Sequence, residues 1–264
     1  MERNILAVFG VFPVIPHTRP FNDGENMSPT HNPGRVAGFW YLLLCLVGPL
    51  RLIYIPTKLF AHGDATATAN NIADHELLFR LGIAADLAGA VILIFLTLAF
   101  YRLFKEVDQY LAVLVVIFGG VMPALIYFVG VVSDFAVLTF IRGGDFLSVF
   151  DKPQRDALAM LFLKLRDHQN TAAEILWGLW LLPLALLVYK SRFLPRFLAA
   201  WLVLDGFCYL ALSLAGVLWP QYQAKVFAIS QPAFFGEIAL MLWLVIRGAK
   251  PPALDATALS PSTA

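Results

Sequence analysis

Charged side chains are unusually scarce in this sequence. Asp, Glu, Lys and Arg make up only 14% of the 264 residues, whereas soluble domains carry about 25%. Hydrophobic residues account for 59% of the chain, and its mean hydropathy is +0.74. This composition excludes an ordinary soluble globular enzyme. The net charge of +1 also gives no support for nucleic acid as a partner.

Cysteines and recognisable catalytic motifs are also few. Cys45 and Cys208 both lie in apolar runs, where a free packing cysteine is more common than a disulfide, and neither has CxxC-type metal spacing. The chain has no GxSxG, HExxH, phosphate-binding or dinucleotide-binding motif, and His75-Glu76 lacks the second histidine of a zinc helix. The sequence therefore predicts no cofactor and no metal site, and it names no reaction.

Six long apolar segments dominate what the chain does contain. A membrane-crossing helix needs about 20 mainly apolar residues, and a backbone in lipid must satisfy its own hydrogen bonds. We therefore predict an all-α fold, a polytopic bundle of six transmembrane helices. The third apolar stretch continues to Ile141, and Gly119-Gly120 and Pro123 can kink it. The predicted spans are 36–57, 77–101, 109–132, 169–189, 196–218 and 225–246.

Two segments outside the spans are predicted to cover one end of the bundle. Within residues 153–167, apolar side chains recur at helical spacing with charges opposite them, which predicts one amphipathic helix on the outer surface. The apolar positions are Leu158, Leu161, Phe162 and Leu165. The 57–75 segment is predicted to be a loop long enough to fold over the mouth of the bundle.

The membrane domain is predicted to cover residues 35–248. Residues 1–34 form an extension that we expect to be disordered. Met27 is followed by a short polar lead, and we expect it to be the true start of the protein. Residues 249–264 are predicted to be a disordered tail.

The distribution of Lys and Arg predicts the orientation of the bundle. Basic residues concentrate in the short 102–108 and 190–196 turns and just after the last span. This bias places both termini in the cytoplasm. The 142–168 connection, with five basic residues, is the exception.

Polar side chains inside the spans lie mostly in the half nearest the outer face. A charge in hydrocarbon is costly, so these side chains need partners, water or a function. Five in-span carboxylates outnumber Arg51 and Arg80, which indicates protonated carboxylates or a bound cation. We expect the polar residues to meet in one chamber, as ligand-binding candidates. The candidates are Arg80, Asp86, Asp134, His168, Asn170, Glu174, Asp205, Gln231 and Glu237.

Several of these polar residues, and Arg51 as well, also have an ordinary structural explanation. Arg51 can extend to the outer headgroups, Arg80 can be locked to one carboxylate, and a residue at a span boundary can simply be interfacial. Asp205 can bond to a neighbouring hydroxyl or Trp. Glu174 and Glu237 fit such explanations least, because both lie deep and lack a basic neighbour four residues away.

A set of short motifs, in order along about residues 30–247, resembles one membrane family. The motifs are Arg35-Val-Ala-Gly-Phe-Trp-Tyr41, Leu77-Leu-Phe-Arg80-Leu-Gly-Ile-Ala-Ala-Asp86, Tyr189-Lys190-Ser191-Arg-Phe-Leu-Pro195-Arg196 and Gly206-Phe-Cys-Tyr209-Leu. The sequence thereby resembles the bacterial family catalogued as domain of unknown function 4386. The resemblance implies a six-helix, multi-pass protein of the bacterial cytoplasmic (inner) membrane with no assigned activity. Trp180 stands where this family commonly has histidine, which weakens any two-histidine metal site on the fourth span.

Three functions are compatible with this pattern. We favour binding of a small molecule or lipid in a polar cavity in the outer half of the bundle. Arg80 would anchor an anionic group, and the 57–75 and 153–167 segments would form a lid. One alternative is an intramembrane hydrolase or transferase with a carboxylate or His168 as general base. A proton- or cation-coupled carrier is less favoured, because the sequence shows no convincing inverted repeat. Membrane lipid is the expected partner, and the sequence does not indicate the oligomeric state.

Overall fold

The computed structural model describes residues 32–250, and throughout that range the regular structure is helical, without strands. Six of its helices are long and apolar enough to cross a membrane. The all-α, six-span prediction is therefore confirmed, and the chain is a multi-pass membrane protein. The prediction for Met27, and most of the predicted extension (1–34) and tail (249–264), fall on residues 1–31 and 251–264, which lie outside the described residues.

Seven helices are numbered here in chain order, and all except the short α2 are membrane-length. They are α1 (Pro33–Leu59), α2 (Ala65–Asp74), α3 (Glu76–Phe104), α4 (Gln109–Arg142), α5 (Lys152–Ser191), α6 (Arg196–Leu218) and α7 (Gln223–Ile246). Side-chain caps start several of them. Asn32 accepts from the Gly34 backbone N–H at 3.1 Å, and Asp151 and Gln154 form a capping box at α5.

The membrane-length helices alternate in direction, so the bundle has two ends. At the terminal end, the start of α1 meets the chain just after α7, where the Gly34 N–H donates to the Ala249 carbonyl at 3.0 Å. Lys190 also donates there to Asp108 at 2.7 Å. At the opposite loop end, Arg142 of α4 bonds to Glu76 of α3.

Helix α5 corrects the prediction of a separate amphipathic helix over residues 153–167. That segment is helical, but it continues without a break into the fourth span, giving one helix of 40 residues, about 60 Å long. Its buried side is also different from the predicted one. Leu161 and Leu165 are each 50% exposed. The buried side chains of this segment are Asp156, Ala159, Leu163 and Arg166.

The reason for this correction is pairing. Asp156 bonds to Lys152 at 2.8 Å, and Arg166 bonds to two buried carboxylates of the bundle. A paired charge can be buried at low cost, whereas a leucine can face lipid at no cost. The apolar stripe therefore does not mark the inward face of this helix.

The 57–75 segment corrects a second prediction, because it is largely helical rather than a loop. Helix α2 packs against α5 and α4 at the loop end. The Asn71 side-chain amide donates to the Leu59 carbonyl at 3.2 Å, and the Ala61 N–H donates to the Thr68 hydroxyl at 3.0 Å. These bonds hold α2 close to the end of α1.

Helix α4 contains a π-helical turn at Ile117–Val121, which includes the Gly119-Gly120 pair that the sequence indicates as a kink site. π-turns are a common source of local distortion in long helices. The two glycines within this turn permit close contact with neighbouring helices. A Cβ on Gly119 would lie 2.5 Å from the Trp180 ring, and one on Gly120 would lie 2.3 Å from the Thr97 hydroxyl.

Candidate functional site

Four buried charges from four helices form the first polar site, the four-charge cluster of Arg51, Asp86, Asp134 and Arg166. Arg51 donates to Asp86 at 2.9 Å and to both oxygens of Asp134 at 3.0 and 2.8 Å. Arg166 donates to Asp134 at 2.7 Å and also bonds to Asp86. The side chains are only 1–9% exposed. Two cations and two anions leave no net charge.

Small and aromatic neighbours fit around this cluster. A Cβ on Gly130 would lie 2.7 Å from a guanidinium nitrogen of Arg166, so a larger residue there would force the guanidinium to move. The Arg51 guanidinium lies 5.9 Å from the centre of the Phe79 ring. A cavity beside Arg51 and Asp86 measures about 20 Å³, which is enough for about one water. The cluster is thus closed and internally satisfied.

Arg166 was not among the candidates predicted from sequence. Because the sequence predicts an outer surface helix over residues 153–167, it does not group Arg166 with the charges inside the spans. A signal was present in the sequence: Asp156, Ala159, Leu163 and Arg166 recur at helical spacing on one face. Pairing that face with Asp86 and Asp134, however, required knowledge of the other helices.

Arg80 lies apart from the four-charge cluster, which corrects the expectation of one shared chamber. Its guanidinium bonds at 2.6 Å to Glu76, one turn earlier on α3, and its side chain is 40% exposed. Glu76 also bonds to Arg142 at the same end. Arg80 therefore belongs to an exposed three-residue ion network at the loop end.

The second polar site lies deep in the bundle and is called the acid–phenol cluster: Tyr41 of α1, Asp205 and Tyr209 of α6, and Glu237 of α7. The Tyr41 hydroxyl donates to the Glu237 carboxylate. Asp205 and Tyr209, one turn apart, both lie close to that same carboxyl group. Tyr41 is 1% exposed and Asp205 is fully buried.

Asp205 is unusual because neither of its carboxyl oxygens has a hydrogen-bond partner among the described residues. It lies near the middle of α6, whose 23 residues span about 35 Å. That length is close to the hydrocarbon thickness of a bilayer, about 30 Å. An unpartnered polar group so far from water is costly and needs an explanation.

Close helix crossings fix the positions of these two acids. Gly206 follows Asp205, and a Cβ there would lie 3.1 Å from the backbone carbonyl of Gly178 on α5. Gly236 precedes Glu237, and a Cβ there would lie 2.9 Å from the Trp201 ring of α6. The contacts bring α5, α6 and α7 close enough for Asp205 and Glu237 to be neighbours.

A groove near the loop end forms the third polar site, the Glu174 groove. Its volume is about 270 Å³, and it is lined by Glu174, Leu212, Gln223, Ala224 and Phe227. One carboxyl oxygen of Glu174 is buried without a partner among residues 32–250. The groove therefore has apolar walls and one unpaired acceptor.

An aromatic wall leads from this groove to the acid–phenol cluster. Phe227 lies 6.0 Å from Phe234 between ring centres, and Phe234 stacks on Tyr209 at 4.8 Å. Trp177, one turn after Glu174, contacts Tyr209 edge-on at 5.8 Å. Tyr209 is thus the side chain that links the groove with Asp205 and Glu237.

The remaining sequence candidates lie outside these three sites. His168 and Gln231 are exposed, and Asn170 is half-buried. Asp86 and Asp134 belong to the four-charge cluster, Asp205 and Glu237 to the acid–phenol cluster, and Glu174 to its groove. The described part of the chain holds no group of three or more His, Cys, Asp or Glu side chains placed to hold a metal ion.

The sequence predicts one chamber, whereas the structure divides the polar residues among three sites at different heights along the helices. Arg166 lies about two turns above Glu174 on α5. Tyr41, which sequence reasoning did not include, carries the acid–phenol cluster into the terminal half of the bundle. Its signal was weak, because aromatic residues are abundant along all six spans.

Comparison with known proteins agrees with the resemblance noted from the motifs. No curated protein and no solved structure matches the chain significantly. A family model described as Domain of unknown function (DUF4386) matches residues 36–248, which include all three polar sites. The chain therefore belongs to the DUF4386 family of domains of unknown function.

Proposed function

We propose that this membrane protein binds a small amphipathic molecule, a lipid or a lipid-like compound, in the Glu174 groove. The observation that carries the proposal is the buried Glu174 oxygen that has no hydrogen-bond partner among the described residues. A ligand that donates a hydrogen bond or carries a positive charge would satisfy it.

The charges of the bundle favour such a ligand over an anionic one. Arg51 and Arg166 are fully engaged with Asp86 and Asp134, and Arg80 is bonded to Glu76. An anionic group in the groove would meet the Glu174 carboxyl without a cation among the lining residues. In place of an anionic anchor at Arg80, we propose an acceptor site at Glu174 for a ligand group that donates a hydrogen bond.

The walls of the groove favour an apolar portion in the same ligand. Leu212, Ala224 and Phe227 line it, and Phe227 is 50% exposed. Its volume of about 270 Å³ is just below the range of about 300–1,000 Å³ for small-molecule sites. That size suits a headgroup with the first part of one alkyl chain.

Orientation decides which leaflet supplies the ligand. The Lys and Arg bias supports both termini in the cytoplasm of a bacterium. The loop end and the groove would then face the outer leaflet of the cytoplasmic membrane. The enzyme alternative has less support, because His168, one of its candidate bases, is exposed and does not line the groove, which leaves only a carboxylate for that role.

The test uses three amphiphiles with the same chain: dodecylamine, dodecanol and dodecanoate. Binding to the full-length protein in a non-ionic detergent is counted by native mass spectrometry. We expect the amine and the alcohol to bind and the carboxylate to bind weakly. The Glu174→Gln variant should lose the preference for the amine.

The matched control is Glu106→Gln, because Glu106 is an exposed acid paired with Lys105 at the other end of the bundle. It should bind all three amphiphiles like the unmodified protein. Preferential binding of dodecanoate, or an unchanged amine preference in Glu174→Gln, contradicts the proposed function.

A further inference from the structure

We propose that the acid–phenol cluster is a proton-binding site, in which Asp205 and Glu237 share one exchangeable proton in the middle of the membrane. Proton binding is distinct from ligand binding in the groove and does not depend on it. The argument starts from Asp205, which is fully buried and unpartnered at both carboxyl oxygens among the described residues.

No cation within residues 32–250 balances the two acids. The titratable groups that face them are Tyr41 and Cys45 from α1, Tyr209 from α6 and, farther away, Glu174 from α5. None of these side chains carries a positive charge. Two ionised carboxylates side by side in a low-dielectric interior would repel each other without compensation. One proton removes one of the two charges.

The hydrogen bonds indicate where the remaining charge and the proton lie. Glu237 accepts the Tyr41 hydroxyl, so its carboxylate form is stabilised. No side chain among the described residues donates a hydrogen bond to Asp205, so its protonated form is the one that its site tolerates. The proton sits on an Asp205 oxygen and can move to Glu237, which leaves the pair with one negative charge. Release of the proton leaves two.

The aromatic wall gives the proton a route to the loop end. Tyr209 lies between the acids and Trp177, and its hydroxyl can both donate and accept. Glu174 lies about one turn beyond Trp177 on α5 and borders the open groove. A proton leaving Asp205 would therefore pass Tyr209 and reach Glu174 or water in the groove.

A metal ion is a weaker occupant for this site. The acids provide two carboxyl groups, and the described residues provide no third His, Cys, Asp or Glu ligand in a suitable position. Binding of sodium or another monovalent cation between the two acids is the competing outcome, and the experiment below would detect it.

The experiment is infrared difference spectroscopy on the full-length protein in lipid vesicles. A protonated carboxylic acid has a carbonyl band that a carboxylate lacks. We expect that band at neutral pH, with a shift in D₂O that reports an exchangeable proton. Asp205→Asn should abolish it. Glu237→Gln should shift it, because the acceptor next to Asp205 has changed.

The controls separate this site from other acids and from a cation site. Glu106→Gln should leave the band unchanged, and Tyr209→Phe should slow its exchange in D₂O. Circular dichroism and gel filtration establish that each variant is folded. Absence of the band at neutral pH, its survival in folded Asp205→Asn, or its replacement by sodium-dependent carboxylate bands overturns the proposal.

Discussion

Replacing Arg166 by Ala is expected to destabilise the bundle by about 3–5 kcal/mol, the range for removing one partner of a buried ion pair. Arg166 bonds to Asp134 at 2.7 Å and also to Asp86. The two carboxylates, 1–2% exposed, would then share Arg51 alone. One buried negative charge would be left without a counter-charge.

The free energy is measurable by reversible unfolding in mixed micelles of dodecyl maltoside and SDS, followed by tryptophan fluorescence. Thermal unfolding provides a second measure. A loss of 1 kcal/mol lowers Tm by about 2–4 °C in a chain of this size, so Arg166→Ala should lower it by about 6–20 °C.

The control for this prediction is Arg142→Ala. Arg142 is also an arginine bonded to a carboxylate of α3, Glu76, but its side chain is 58% exposed. Exposed pairs contribute about 0–1 kcal/mol. The double variant Arg166→Ala/Asp134→Ala keeps the Arg51–Asp86 pair and restores neutrality. It should cost less than the sum of the single variants.

Two outcomes would refute the reasoning. If Arg166→Ala costs no more than Arg142→Ala, burial and charge balance do not stabilise the cluster. If the double variant costs the full sum of the single variants, the two side chains act independently, and the four charges are not one unit.

Two further predictions concern packing and pH. Gly178→Ala should destabilise the protein by about 1–3 kcal/mol, because its Cβ would lie 2.6 Å from the Gly206 carbonyl oxygen. The control Gly48→Ala should leave the stability unchanged, because no atom lies within 4 Å of the added Cβ. Equal unfolding midpoints for the two variants would contradict this prediction. The hydrogen bond from Lys190, helped by the Leu111 N–H, holds the pKa of Asp108 below its ordinary value. The stabilisation that the ionised Asp108 gives the folded protein is therefore complete above about pH 3.9, the ordinary pKa of Asp. It disappears as the pH falls through the lowered pKa of Asp108 in the folded protein. In thermal unfolding, the Tm of Lys190→Met should fall less on acidification than the Tm of the unmodified protein. The control Lys105→Met, at the same end of the bundle, should lose as much Tm on acidification as the unmodified protein.

Much of the fold was predictable because the bilayer imposes simple rules. A run of about 20 apolar residues in lipid has to be helical, and the six predicted spans lie within the six membrane-length helices. Periodicity was less informative for residues 153–167. In water, leucines at helical spacing face a core, but beside a membrane they can face lipid, and Leu161 and Leu165 are each 50% exposed.

The sequence by itself determined the six membrane-length helices and the acidic residues Glu174 and Glu237 that have no basic neighbour four residues away. Which charges pair was decided only by the tertiary structure, because the partners lie on different helices. Asp86 and Asp134 meet Arg51 and Arg166 from two other helices, while Arg80 finds Glu76 one turn away. Asp205 and Glu237 meet because Gly206 and Gly236 bring three backbones together. Such contacts depend on the relative height and rotation of whole helices, which no local pattern of residues specifies.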